Sequence, residues 1–152
     1  MKKGFTLIEL MLVIIILGIL VSLITGNFLN SLNKGRDARR KGDLEQVQKA
    51  LEFYYEDQKN YPASLNFGSS FTYDTGNGIK TYMTTLPSDP SSGHNYKYCV
   101  SGNKYQLYAY LENSNDPTRL ANLNNSLCGA ANTKCFGSND CNYGIANSVT
   151  SP

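Results

Sequence analysis

Residues 1–33 read MKKGFTLIELMLVIIILGILVSLITGNFLNSLN, and the fold turns on how this stretch is read. No charged residue occurs between Leu10 and Asn33. That run is long enough to cross a bilayer, which takes about 20 apolar residues. The apolar part begins at Phe5, behind Lys2, Lys3 and Gly4, and carries one acid, Glu9, near its start. A carboxylate at the centre of a membrane helix costs roughly 2.5–3.5 kcal/mol, so such a residue has a partner or a task. A secretory signal would show a small-residue cleavage site after its apolar region. Val21-Ser22-Leu23 and Ile24-Thr25-Gly26 fit that pattern poorly, so the segment is expected to be retained. Gly18 and Gly26 lie inside it, each costing roughly 0.8–1 kcal/mol relative to Ala. They either let 19–25 loosen under tension or make room for close helix packing.

The helix is expected to run on to about residue 58. Leu44, Val47, Leu51 and Tyr54 or Tyr55 recur at helical spacing. Asp37 precedes Lys41, and Glu45 precedes Lys49, at i,i+4, an arrangement worth a few tenths of a kcal/mol per pair. Gly35 and Gly42 weaken this half without ending it. Asn60-Tyr61-Pro62 ends it, because proline cannot continue a helix and biases its predecessor to an extended conformation. About 54 residues at 1.5 Å each give a rod of ~80 Å, against a bilayer core of ~30 Å. The second half must therefore lay its apolar stripe on the rest of the chain. The basic cluster at 36–41 reads most simply as a solvated or headgroup-facing surface, with a surface for a filament partner as the alternative.

Residues 62–90 are rich in loop formers, with short strand-like pieces at Phe71-Thr72-Tyr73 and Lys80-Thr81-Tyr82-Met83 and a turn at Leu86-Pro87-Ser88-Asp89-Pro90. Two alternating stretches, 95–100 and 104–111, flank Ser101-Gly102-Asn103, which reads as a hairpin turn. Residues 128–141 read as a loop, and 141–146 as a last short strand. The order is one long helix followed by an antiparallel sheet of three to four strands, an α+β fold.

The chain has 152 residues, 14 Lys and Arg against 12 Asp and Glu, and Lys2 and Lys3 supply the excess. That balance gives no footprint for bulk nucleic-acid binding. Basic residues flank the apolar segment on both sides, so charge alone leaves its orientation open. Four cysteines, Cys99, Cys128, Cys135 and Cys141, follow the apolar segment. An even number there points to disulfides in an exported domain, with three pairings open. The spacing does not suit a zinc site. No catalytic set is visible: the one histidine, His94, reads as a solvated turn residue beside Gly93, and Asp74, Asp89, Asp116 and Asp140 read as loop residues. No cofactor is expected. Eleven tyrosines without tryptophan suit a thin sheet packed on a helix; a surface stacking on nucleic acid is a weaker reading. Asn124-Asn125-Ser126 matches a glycosylation acceptor.

Lys2-Lys3-Gly4 followed by Phe5-Thr6-Leu7-Ile8-Glu9 resembles the processing and assembly signal of type IV prepilins and type II secretion pseudopilins. Leu86-Pro87-Ser88-Asp89-Pro90 is similar to a short motif that precedes the sheet in major pseudopilins. The resemblance implies a pilin fold with a leader at 1–4, a transmembrane and assembly helix at 5–29, and a periplasmic or extracellular head at 30–152. It implies cleavage between Gly4 and Phe5 by a prepilin peptidase, methylation of the Phe5 amine, and pairing of Glu9 with the Phe5 amine of a neighbouring subunit. The other implied partners are an inner-membrane assembly platform and related pilin subunits in a helical filament. Secretion pseudopilins can also carry a loop calcium, for which 113–116 and 138–140 offer oxygens; no ligand is assigned. The leading expectation is a non-enzymatic subunit of a type IV pilus serving adhesion, motility or DNA uptake, moving from the inner membrane to a surface filament. The alternatives are a secretion pseudopilin or a minor, competence-type pilin binding DNA or a surface.

Overall fold

The computed structural model describes residues 4–121, 123, 127–128 and 134–147, with the side chains of 23–27 outside that set. Lys2, Lys3 and the glycosylation acceptor at 124–126 therefore lie outside the described residues. One helix, α1 (Leu7–Gln58), runs for 52 residues. Its start follows from local chemistry. Thr6 is the N-cap in an extended conformation, its hydroxyl accepts from the Glu9 amide, and the Glu9 carboxylate accepts from the Thr6 amide. This reciprocal capping box satisfies two helix-end donors. The other end is set by Lys59, whose left-handed backbone (φ 56°) lets its N–H reach the Tyr55 carbonyl at 2.8 Å. A Cβ at Gly18, Gly35 or Gly42 would meet nothing within 4 Å, so within the subunit no packing demands glycine there.

Seven short strands follow among the described residues: β1 (Phe71–Asp74), β2 (Ile79–Met83), β3 (Lys97–Ser101), β4 (Lys104–Ala109), β5 (Lys134–Phe136), β6 (Asn139–Asp140) and β7 (Tyr143–Ala146). The main sheet is antiparallel with order β3-β4-β7. The β3–β4 hairpin turns at Gly102 (φ 57°), as its turn residues predict. β1 pairs with β2, and β5 with β6, as separate hairpins. The β5–β6 hairpin lies in a span expected to be loop. Its alternation is too short to stand out, and Gly137 (φ 54°) makes its turn. Asp74 and Asp140 consequently end strands rather than sitting in loops. Leu86 to Asp89 is not a turn. The chain there is held against 68–69 by the Leu86 amide on the Ser69 carbonyl (2.7 Å) and the Gly68 amide on the Leu86 carbonyl (2.8 Å).

The core forms where the helix stripe meets the sheet. Leu44, Val47, Ala50, Leu51 and Tyr54 are buried with Tyr105, Leu107 and Ala109 of β4, and with Leu86, Phe71 and Tyr96. Tyrosine suits this thin layer because its ring packs while its hydroxyl finds an acceptor. Tyr96 donates to Asp43 (2.8 Å) and Tyr105 to Glu52 (2.9 Å). Tyr54 meets Phe71 at 5.3 Å and Tyr82 at 5.2 Å, which brings the β1–β2 hairpin onto the helix.

β4 is buried on both faces from Tyr105 to Ala109. Alternation sends Tyr105, Leu107 and Ala109 to the helix and Tyr108 the other way. Tyr108 is covered by Cys128, Cys135 and Cys141, with Cys99, Tyr110 and Leu123 around them. The cysteines pair as Cys99–Cys128 and Cys135–Cys141, with Cα separations of 5.2 and 5.0 Å. The head is thus a helix, a sheet and a disulfide-bonded outer layer.

Candidate functional site

Two regions of α1 carry the functional geometry. The first is its N-terminal part. Phe5, Leu7 and Ile8, and the apolar residues from Leu10 to Val21, are 43–82% exposed on every side. A helix apolar all round is stable only when something else surrounds it. Glu9 sits at its start, with Oε2 accepting from the Thr6 amide (3.0 Å) and hydroxyl (2.8 Å). Phe5 precedes the cap and is 82% exposed. Gly4 is exposed too, so the peptide between Gly4 and Phe5 is accessible. Among the described residues no helix is long and apolar enough to cross a membrane. The span expected for 5–29 includes 23–27, outside the described side chains.

The second region is where α1 enters the head, and it overturns the reading of 36–41 as a solvated basic face. Arg40 is fully buried. It donates to Asp89 through Nε (2.8 Å) and Nη2 (2.7 Å), to Asp37 through Nη1 (2.8 Å), and to Glu112 (2.7 Å) and Ser91 (3.0 Å) through Nη2. Asp37, also buried, accepts from the Glu112 amide (2.9 Å) and the Asn113 amide (2.8 Å). Arg36 closes the set on Glu112. Burial works against the Arg40 charge, but the bonds to Asp89 and Glu112 prevail and its pKa is raised. The Arg36 hydrogen bond, with help from Arg40 and Ser91, holds Glu112 down at about 2 against the cost of burial. A buried guanidinium is tolerated only when its donors are matched in this way.

This cluster ties three segments together: the helix, the irregular segment 86–91 and the chain after β4. It explains Leu86-Pro87-Ser88-Asp89-Pro90: Leu86 anchors in the core while Asp89 receives Arg40. Spacing carried a signal for it. Positions 37, 40, 44, 47, 51 and 54 form one stripe at steps of three and four, so Asp37 and Arg40 lie on the face that buries Leu44 and Val47. Beside the cluster, Lys41 takes Asp116 instead of extending an i,i+4 pair with Asp37. Its hydrogen bond, with those of Thr118, holds Asp116 at about 2.

His94 is half-buried rather than a solvated turn residue. Its ring stacks on Phe136 at 4.0 Å, where the β5–β6 hairpin folds back on 94–95. Among the described residues no group of three or more His, Cys, Asp or Glu could hold a metal ion. Ser114 and Asp116 from 113–116 and Asp140 from 138–140 line one cavity, where Asp116 is engaged by Lys41 and Asp140 by Lys134 at 2.9 Å.

Residues 1–25 match the model of the prokaryotic N-terminal methylation motif. Residues 27–122 match the model of type II secretion system protein G. The chain belongs to the type II secretion system protein G family. Among curated relatives, the type II secretion system core protein G of Pseudomonas aeruginosa is 32% identical over 117 residues, covering 71% of this chain and 82% of the relative. The same-named protein of Vibrio cholerae is 33% identical over 109 residues (68% and 74%), and that of Aeromonas hydrophila 38% over 113 residues (70% and 72%). No solved structure matches. The match to protein G favours the secretion pseudopilin over the type IV pilus that led the sequence reading. It also ends at 122, so β5, β6, β7 and three of the four cysteines lie beyond it. In this protein G family member, Cys99–Cys128 ties that extension back to the matched part.

Proposed function

We propose that the chain is a structural, non-enzymatic subunit of a secretion pseudopilus. The observation that carries this reading is the division of one continuous helix. One half is bare and apolar on all sides, and the other is clamped into a folded head. Such a subunit waits in the inner membrane through 5–29 and then exchanges lipid for the helices of its neighbours. A prepilin peptidase cuts between Gly4 and Phe5 and the Phe5 amine is methylated. An inner-membrane platform drives subunits into a helical filament, in which Glu9 pairs with the Phe5 amine of a neighbour. That pair requires Glu9 to turn from its own Thr6 cap to the neighbouring amine, an exchange of one donor set for another. Gly18 and Gly26 supply compliance to the buried helix bundle. The head, held by Arg40 and the disulfides, faces the periplasm.

The test is intact-mass analysis of the N-terminal peptide, with fractionation of filaments into cell-bound and sheared material. A peptide beginning at N-methylated Phe5, with filaments that stay cell-bound, supports the pseudopilin. A peptide beginning at Met1 would overturn processing and assembly together. Abundant sheared surface filaments would return the reading to a type IV pilus.

A further inference from the structure

We infer that Asn77, in the turn of the β1–β2 hairpin, is a site of spontaneous deamidation. The Gly78 backbone nitrogen closes on the Asn77 side chain and converts it, through a cyclic imide, to aspartate and its β-linked isomer. Asn77-Gly78 is the one Asn-Gly step in the chain. Both residues are exposed. Asp74 stands opposite Ile79 in the hairpin, which leaves Thr75, Gly76, Asn77 and Gly78 as the turn. The bonds that hold this turn bypass the reacting atoms. The Thr75 amide (3.0 Å) and hydroxyl (2.8 Å) both donate to the Gly78 carbonyl, and the Gly76 amide donates to Asp74 Oδ1 (2.8 Å). Among the described residues neither the Asn77 side chain nor the Gly78 amide takes part in a hydrogen bond.

Ring closure brings the nitrogen of the following residue onto the side-chain amide carbon, and a side chain on that residue stands in the way. The hairpin ensures that none is present. Gly78 has φ 147°, a conformation that residues with a Cβ rarely adopt. The turn that joins β1 to β2 therefore requires glycine at the position where the reaction also favours it. The Gly78 nitrogen gives up its proton to water and bonds to Asn77 Cγ. The Cγ–Nδ2 bond breaks and ammonia leaves. Water then opens the imide at Cγ, giving aspartate, or at the backbone carbonyl of Asn77, giving the β-linked form. Water enters and ammonia leaves, with no oxidant and no cofactor. The stem of the hairpin stays anchored on α1, by Tyr54 against Phe71 and Tyr82 and by the Tyr82 hydroxyl on Asp57 (2.7 Å). Ageing thus adds a carboxylate to a turn on a fixed stem. The inference concerns the head alone and is independent of which filament the subunit enters.

The test is peptide mass spectrometry of the full-length chain in detergent micelles, aged at neutral and at mildly alkaline pH in water enriched in heavy oxygen. The peptide holding Asn77 is expected to split into an aspartate and a β-linked form, told apart by electron-transfer fragmentation and both carrying solvent oxygen. Conversion is expected to be faster in the alkaline sample. It is also expected to run many-fold faster than at Asn113, whose side-chain carbonyl accepts from the Asn115 amide (3.2 Å) and whose successor is serine. N77S is expected to keep the wild-type near-ultraviolet circular dichroism and to lose most of the acidic species that isoelectric focusing resolves after ageing. An Asn77 that stays intact, or converts no faster than Asn113, overturns the inference, and so does an undiminished acidic species in N77S. Should N77S not fold, the wild-type peptide comparison alone decides.

Discussion

Arg40 and Asp89, 49 residues apart in sequence, form a two-pronged ion pair with bonds of 2.8 and 2.7 Å, and both side chains are almost wholly buried. The pair joins the middle of a 52-residue helix to the segment that leads into the sheet. Removing Asp89 takes away the acceptor of two buried guanidinium bonds while Asp37 and Glu112 still face the charge, which costs about 1–3 kcal/mol. Asp89→Ala should therefore lower stability by that order in urea unfolding of the full chain in micelles. Asp37→Ala should cost a comparable amount, because two backbone amides lose their acceptor as well. A loss under ~1 kcal/mol for both would mean that the cluster is not holding the head.

The same cluster sets an acid limit. Glu112 is held at about 2 from an ordinary value of 4.5, and Asp116 at about 2 from 3.8. Depressed carboxylates stabilise the folded state above their unfolded pKa and lose that contribution as pH falls through the folded one. The melting midpoint should hold steady down to about pH 4.5 and then fall steadily toward pH 2. Glu112→Gln should flatten that fall while lowering the plateau. An unchanged slope in that variant would refute the assignment.

Glu9→Ala should leave cleavage at Gly4 intact, because the peptide before Phe5 precedes the helix and is exposed. It should sharply reduce filament yield, since the Phe5 amine would then lack its partner in an apolar bundle. Loss of the Thr6 cap bonds also frays the first turn, at a cost of about 1 kcal/mol. Thr6→Ala separates the two effects: it removes the cap and keeps the carboxylate. Cleaved subunit with wild-type filament yield in Glu9→Ala would end the pairing proposal.

The two disulfides should contribute unequally. Loop-closure entropy predicts a loss of about 3.5 kcal/mol for Cys99→Ser/Cys128→Ser and about 2 kcal/mol for Cys135→Ser/Cys141→Ser, given separations of 29 and 6 residues. Both removals also loosen the layer over Tyr108. Urea unfolding of the double variants reads the order directly, and a reversed order would show that packing on Tyr108 outweighs chain entropy.

Sequence alone determined the features whose causes are local. An uninterrupted apolar run, a threonine three residues before a glutamate, and Leu44, Val47, Leu51 and Tyr54 at helical steps set α1 and the face it buries. Gly102 between two alternating stretches set the β3–β4 hairpin. The processing signal at 1–9 pointed to the family of filament subunits. Tertiary structure alone decided which cysteines pair, that β4 is covered on its second face, that 134–140 forms a hairpin against His94, and that the basic turn at 36–41 is a clamp rather than a wet surface. The physical reason is that helix period, caps and turns are settled by neighbours in the chain. The environment of a charge is settled by what folds against it. Arg40 reads the same in sequence whether water surrounds it or Asp37, Asp89 and Glu112 do, and the last two arrive from 49 and 72 residues away.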